Sequence, residues 1–470
     1  MLKDFSIDRR KVVIGFAPVR RAAWAHKPFN LFVAIEYKQR ILQALEAFDC
    51  EIVPLEGVTQ DGMLFDPDDA DRVAAFFQEK KVDGVFVPHC NFGSEEAVAR
   101  LCKRLNKPVL LWGPKDEINP EDFYRYRDSQ CGLFATSKVL GMYGVPFSYI
   151  ENCAVEDPLF TEGFERFIAV CSVIKAFRGM RIGQIGTRPQ PFASVKCNEM
   201  ELLQKFGIEI LPITMTDLRE KMNRYAQENA ESILAERAEM RERFTSEGIG
   251  DDQLSSIITL KRTVEQWARE ANLSAVATQC WAPMIAVAGV MPCFVLGEVC
   301  DDGLPFICEE DIHGAITAVM AMAASRYEAP IFLADITIRH PENPNAELLW
   351  HCGVFAKSLA EKPDALRIAP HYNRLCPAVG EWELKKGPLN VVRFDGFTDN
   401  YSIFLGRAKG IPGPKTVGAY LWIEVDDWSK WEKKLIYGPY IHHCVGIYRD
   451  VKDVLEEACR YFPGLRPDPV

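Results

Sequence analysis

Short apolar runs and amphipathic stretches alternate through the first third of the chain. "KVVIGFAP" has the continuous apolar character of a buried strand, and "VAIEYKQRILQALEAF" puts Ile35, Ile41, Leu42 and Leu45 on one helical stripe. "CEIVPL", "VDGVFVPH" and "PVLLWG" read as further strands, with helices in "DADRVAAFFQEKK" and "SEEAVARLCKRLN" between them. "LGMYGVPFSYIEN" adds another strand region, and residues 157–177 read as a helix leading out. Strands separated by helices of this length predict a parallel, doubly wound sheet.

The pattern restarts at "MRIGQIGTRPQPFASV", where a strand meets a Gly/Pro-rich turn before the helix "NEMELLQKFG" and the strand "IEILPI". That restart predicts a domain boundary near residue 178. Residues 217–273 are polar and rich in Arg and Glu, which predicts two surface helices. "SAVATQCW" returns to strand, and residues 281–297 read as buried strand and turn, interrupted by Pro283, Gly289 and Pro292. Residues 305–308 read as strand, 312–325 as helix and 330–334 as strand. Beyond about residue 350, short alternating stretches with turn residues predict a small barrel or sandwich, closed by a terminal helix in "VKDVLEEACRYF". The expected fold is α/β, with two doubly wound parallel-sheet domains (1–178 and 179–330) followed by a β-barrel-like domain (331–470).

Composition narrows the partners. The chain has 470 residues and a net charge of −11, which argues against a nucleic-acid partner and favours a small-molecule one. No apolar leader precedes the first strand, and no segment is long and apolar enough to span a membrane, so no membrane partner is expected. Fifteen cysteines, an odd number with no Cys-x-x-Cys pair, read as reduced thiols of a cytoplasmic protein.

The candidate chemistry lies in residues 305–335, "PFICEEDIHGAITAVMAMAASRYEAPIFLAD". Two parallel strands joined by one helix share a carboxyl edge, so Glu309 and Asp335 are expected at one edge of one sheet. Two carboxylates there repel unless a proton or a hard divalent cation compensates them. Acids at a helix N-terminus also meet the helix dipole favourably, by roughly 0.3–1 kcal/mol each, so capping is the alternative account of the Glu309–Asp311 run, though not of Asp335. Of only eight histidines, His313 follows Glu309 by four residues, as a ligand or as an ordinary first-turn residue. His442 and His443 form an unusual pair after an apolar run, and His351 sits in "LLWHCGVF", where a core role serves equally well. "GQIGTRPQPF" lacks the spacing of a nucleotide loop, so Arg188 either braces its turn or reaches a substrate.

Several of these segments together resemble the L-fucose isomerase-like family. "CEEDIHGAITAVM" is similar to its Cys-Glu-x-Asp-x-x-Gly-Ala motif, "FLADIT" to the Phe-Ala-Asp one helix later, and "LWHCG" and "YIHHCVGIYRD" to its two His segments. "VDGVFVPHCNFGSEEA", "IGTRPQPFASVKCNE" and "ATQCWAP" extend the resemblance over most of the chain; L-arabinose isomerases match less well. The resemblance implies aldose–ketose isomerisation through a cis-enediol, with Mn2+ or another divalent ion such as Mg2+ or Co2+. It places metal ligands at Glu309, Asp335 and His443, with His442 as the alternate, and proton transfer at the same two carboxylates. It places sugar contacts at Gln279 and Trp281, and an arginine at Arg20 or Arg21. It also implies a homo-oligomer, trimer or hexamer, with sites at subunit boundaries. Arg20, Arg21, Arg188 and His351 complete the substrate-binding candidates, the arginines for a sugar bearing a sulfonate, phosphate or carboxylate. The alternatives are a metal-dependent lyase or aldolase on the same scaffold and a non-catalytic sugar-binding or regulatory protein.

Overall fold

The computed structural model describes residues 9, 11–22 and 29–470. The segment read for a leader, residues 1–8, and His26 lie outside the described residues. The chain divides into two compact units, residues 10–175 and residues 1–9 with 176–470.

The first unit holds β1 (Val13–Phe16), β2 (Glu51–Val53), β3 (Gly84–Pro88), β4 (Val109–Trp112) and β5 (Ser148–Tyr149), all parallel, in the order β2-β1-β3-β4-β5. Alternate residues of the strands enter two cores. Val85, Val87 and Leu111 pack with Val73, Phe77 and Leu101 on one face. Phe86, Leu110 and Trp112 pack with Ile41, Phe160 and Phe164 on the other. Helices therefore cover both faces, which is why these strands read as unbroken apolar runs.

The second unit opens with a four-stranded parallel sheet, β6 (Arg181–Ile185), β7 (Glu209–Ile213), β8 (Ala275–Thr278) and β9 (Phe306–Ile307), in the order β7-β6-β8-β9. A larger mixed sheet follows, made of β10 (Ile331–Arg339), β11 (Ala346–His351), β12 (Arg367–Pro370), β13 (Pro377–Glu383), β14 (Gly387–Phe397), β15 (Asn400–Ile411), β16 (Ala419–Glu424), β17 (His443–Ile447) and β18 (Leu465–Pro469). Its order is β12-β13-β16-β11-β10-β17-β14-β15-β18, and a further β15–β16 pairing closes six of these strands into a ring.

Four local expectations are corrected. Residues 281–297 are helical, Ala282–Ala288 and Cys293–Asp301. Pro283 sits in the first turn, Gly289 ends that helix at φ 69° and Pro292 caps the next, so the residues read as strand breakers instead punctuate two short helices. The polar region forms three helices, Met215–Glu228, Ala230–Arg243 and Asp251–Glu270, the first two meeting at Asn229. A helix, Trp428–Tyr437, interrupts the region read as all strand, capped by the Asp427 side chain on the Lys430 N–H.

The fourth correction concerns the route to the site. β9 and β10 do not share a sheet. β9 pairs with β8, whereas β10 lies antiparallel between β11 and β17 in the larger sheet. The Ile312–Ala324 helix that joins them is buried at every residue, because it packs against β6, β8 and β9 on one side and β10, β14 and β17 on the other. An Ala/Met-rich helix with no polar stripe is what a position between two sheets requires.

Candidate active site

Glu309 and Glu310 follow β9 with left-handed backbones, φ 59° and 58°. Two successive non-glycine residues in that region cost on the order of 1 kcal/mol or more each, so the surroundings must hold them. The Glu310 N–H donates to the Thr278 carbonyl at 2.9 Å, tying this turn to the end of β8. The Asp311 side chain then caps the helix, accepting from the Gly314 N–H at 2.9 Å. Turn and cap together send Glu309 and Asp311 toward β17.

Asp335 and His443 are cross-strand partners of β10 and β17, so the ring supplies them as a pair. His443 Nε2 lies 3.1 Å from Glu309 Oε2 and 3.4 Å from Asp335 Oδ1. Its Nδ1 lies 2.8 Å from Asp311 Oδ2, and the ring is fully buried. Three chain segments thus converge although the crossover expected to align the two carboxylates does not exist. His442 is half-exposed, and its ring stacks on Phe192 at 5.6 Å with Nε2 3.8 Å from Asp335 Oδ1.

The remaining candidates separate clearly. Trp281 Nε1 donates to Glu309 Oε1 at 3.0 Å, and the Arg374 guanidinium stacks over the Trp281 ring at 5.3 Å. The Gln279 side chain lies against Gly186 beyond β8. His351 ends β11, with Nε2 3.1 Å from the Cys308 sulfur and Nδ1 accepting the Cys352 N–H at 2.8 Å. Arg188 donates to the carbonyls of Pro189, Gln190 and Phe192, bracing the turn that carries Phe192 to within 5.4 Å of the His443 ring. Arg20 and Arg21 belong to the first unit: Arg20 is buried on Asp61 and over Phe65, and Arg21 bonds Glu95. His313 bonds Asp395 at 2.8 Å, and Gln184 bonds Glu310.

Charge explains the protonation states. Burial pushes the Glu309 carboxyl up, but the His443 hydrogen bond and the charges of His351 and His443 outweigh it and hold Glu309 below its ordinary value. Burial also opposes ionisation of Asp311, yet Arg393 and His443 keep it far below the carboxylate range. His443 is disfavoured as a cation by burial but raised to about 9 by its bonds to Asp311 and Glu309. Burial carries Glu310 to about 7, with the charges of Asp311 and Glu199 adding to the effect and the Gln184 bond opposing it. For His351, burial works against the upward pull of Asp335, Cys352 and Glu309.

The donor set fits a hard divalent cation. Donor atoms of Glu309, His351 and His443 lie within 4.8 Å of one another, as do those of Asp335, His442 and His443. Asp335 Oδ1 is buried with no hydrogen-bond partner among the described residues, a lone pair that a cation would satisfy. Binding a cation at His443 requires release of its Nε2 proton, so with His443 at about 9 the apparent affinity should fall about tenfold per pH unit below about 9. Manganese titrations by calorimetry in buffers of different ionisation enthalpy check this through the proton count. For stability the sign is opposite: in the metal-free chain the raised His443 stabilises the fold fully below about 6.5, and that contribution is lost as pH rises through about 9.

Comparison with known proteins agrees with these motifs. A family model described as fucose/sulfoquinovose isomerase, N-terminal domain, matches residues 22–178. A protein named sulfoquinovose isomerase from Priestia aryabhattai is 25% identical over 455 residues, covering 96% of this chain and 98% of the relative. Residues 22–178 are thus similar to the N-terminal domain of fucose/sulfoquinovose isomerases, and nearly the whole chain to a protein of the second name. Another relative of the same name, from Alkalicoccus urumqiensis, is 27% identical over 397 residues, covering 83% of this chain and 85% of its own. Arg393, Asp395, Phe192 and Arg374 are the site residues that sequence reasoning missed. Only the first two carry a readable signal: in "NVVRFDGF" two charges recur at period two within an apolar strand.

Proposed function

We propose that this chain is a divalent-metal-dependent aldose–ketose isomerase acting on an anionic sugar, through a cis-enediol. The sugar-isomerase class and the anionic substrate both take their support from the similarity to relatives named sulfoquinovose isomerase and to the fucose/sulfoquinovose isomerase N-terminal domain. The observation that carries the metal reading is the convergence of Glu309, Asp335 and His443 from two sheets around a buried carboxylate oxygen that accepts no hydrogen bond among the described residues.

Isomerisation moves a proton between adjacent carbons, so it needs a base that is ionised at neutral pH and able to return what it takes. Glu309, held below its ordinary pKa, is ionised there, with Trp281 Nε1 fixing one oxygen and leaving the other toward His443. Asp335 stands across the His443 ring and is the second carboxylate for the exchange. When bound, a divalent ion would polarise the sugar oxygens and stabilise the charge that develops on them. Phe192, 5.4 Å from the His443 ring, and Trp281, bonded to Glu309, put apolar surface beside the site that would limit water.

Purified protein incubated with manganese and sulfoquinovose, L-fucose and D-glucose should yield a ketose from the sulfonated sugar. No ketose from any of them, with Glu309→Gln indistinguishable from wild type, would remove the reading. Arg374, stacked on the tryptophan that holds Glu309, is a cation that would meet the anionic group. Arg374→Ala should raise KM for the sulfonated sugar about tenfold without a matching change for any uncharged sugar that is turned over, as steady-state kinetics would show.

A further inference from the structure

Behind His443, away from Glu309 and Asp335, runs a buried chain of charges whose extent a structural cap does not explain. Asp311 accepts four hydrogen bonds. Oδ1 takes the Gly314 N–H at 2.9 Å and Arg393 Nη2 at 3.1 Å, and Oδ2 takes Arg393 Nη1 at 2.5 Å and His443 Nδ1 at 2.8 Å. Arg393 turns its Nε to Asp395 Oδ2 at 2.9 Å, and Asp395 Oδ1 meets His313 Nδ1 at 2.8 Å. Asp311 and His443 have no exposed surface, Arg393 has 1%, His313 3% and Asp395 5%. A Cβ on Gly314 would stand 2.6 Å from Asp311 Oδ2 and 3.3 Å from Arg393 Nη1, so the bare glycine keeps room for this pair.

A buried arginine shared by two carboxylates is a poor way to gain stability, since desolvation offsets most of the attraction. It is a good way to fix geometry, because a planar fork admits one carboxylate orientation. We propose that Arg393, backed by Asp395 and His313, is a positioning residue: it locks Asp311 in the orientation that keeps the proton of His443 on Nδ1 and so presents Nε2 to the cation between Glu309 and Asp335. Partners of this kind, one shell behind a ligating histidine, fix its tautomer and ring angle. Arg393 enters from β14, a neighbour of β17 in the ring, while Asp311 comes from the helix between the sheets. The lock therefore spans the two parts of the unit that the site itself joins.

The inference rests on the metal reading above, and its test separates the two. Arg393→Lys keeps the charge and loses the fork. Its manganese affinity, read by electron paramagnetic resonance of the free ion, should fall about 10- to 100-fold, with a shifted pH profile of uptake. Asp395→Asn, which leaves the Arg393–Asp311 bonds intact, should give a smaller loss. Lys357→Met, which breaks a largely buried ion pair with Glu298 elsewhere in the unit, should weaken the fold without moving the affinity. Wild-type affinity in folded Arg393→Lys and Asp395→Asn would overturn the proposal, as would an equal loss in Lys357→Met. If wild type takes up no manganese, the metal reading fails on its own. The positioning is then read from the nitrogen shifts of histidine-labelled protein: an altered His443 tautomer in Arg393→Lys supports it, and an unchanged one overturns it.

Discussion

Glu309→Gln is expected to lose about 10²- to 10⁴-fold in kcat on any sugar the wild type converts, the range associated with removal of a general base. The amide keeps the shape of the side chain and still accepts the Trp281 Nε1 bond, so the backbone turn at φ 59° should survive. What it loses is the ionised oxygen 3.1 Å from His443 Nε2. The same change removes one candidate ligand, so manganese affinity should fall alongside the rate. A variant with wild-type kcat would show that Glu309 neither ligates nor moves a proton. The outcome to look for is a loss of kcat with an unchanged far-ultraviolet spectrum and unfolding midpoint.

The largest effect on stability is expected from Arg393→Met. Methionine fills much of the volume, but it leaves Asp311 and Asp395 buried without their shared cation. Breaking a buried pair from one side typically costs about 3–5 kcal/mol. Part of that cost should be recovered in Arg393→Met with Asp395→Asn, because one of the two stranded charges is then gone. Urea unfolding of wild type, the single variant and the pair measures the coupling directly. A single variant within about 1 kcal/mol of wild type would mean that the chain of charges is hydrated or already neutral, contrary to its burial.

How much of this was legible in the sequence depends on the distance over which each feature is encoded. The doubly wound first unit was legible because each of its strands is buried on both faces, which writes an unbroken apolar run into the chain. The helices at 282–288 and 293–301 were not, because Pro283, Gly289 and Pro292 signal breaks without saying what they bound. Glu309, Asp335 and the His pair were found by residue type and motif, yet the reason given for their meeting was wrong. Local pattern identifies a strand, a helix and a strand after it; it does not say which sheet each strand joins. The Ile312–Ala324 helix carried the missing information, since a helix apolar all round must be covered on every side. What separates His442 from His443 is register, which the sequence does not show: His443 is the cross-strand partner of Asp335 and has Asp311 behind it. Arg393 and Asp395 were legible as charges at alternate positions in a strand, but their target lies 82 residues away in sequence, and no pattern names it.

The helix between the sheets also fixes when the site can exist. Glu309 and Asp311 hang from the end of the parallel sheet, whereas Asp335 and His443 belong to the ring, so the donors meet only after both sheets have closed on that helix. A cation held there would act as a rivet. Any opening that slides one sheet off the helix must first shed it, which would make the amides of Ile312–Ala324 the slowest-exchanging hydrogens of the loaded protein and tie its lifetime to the metal.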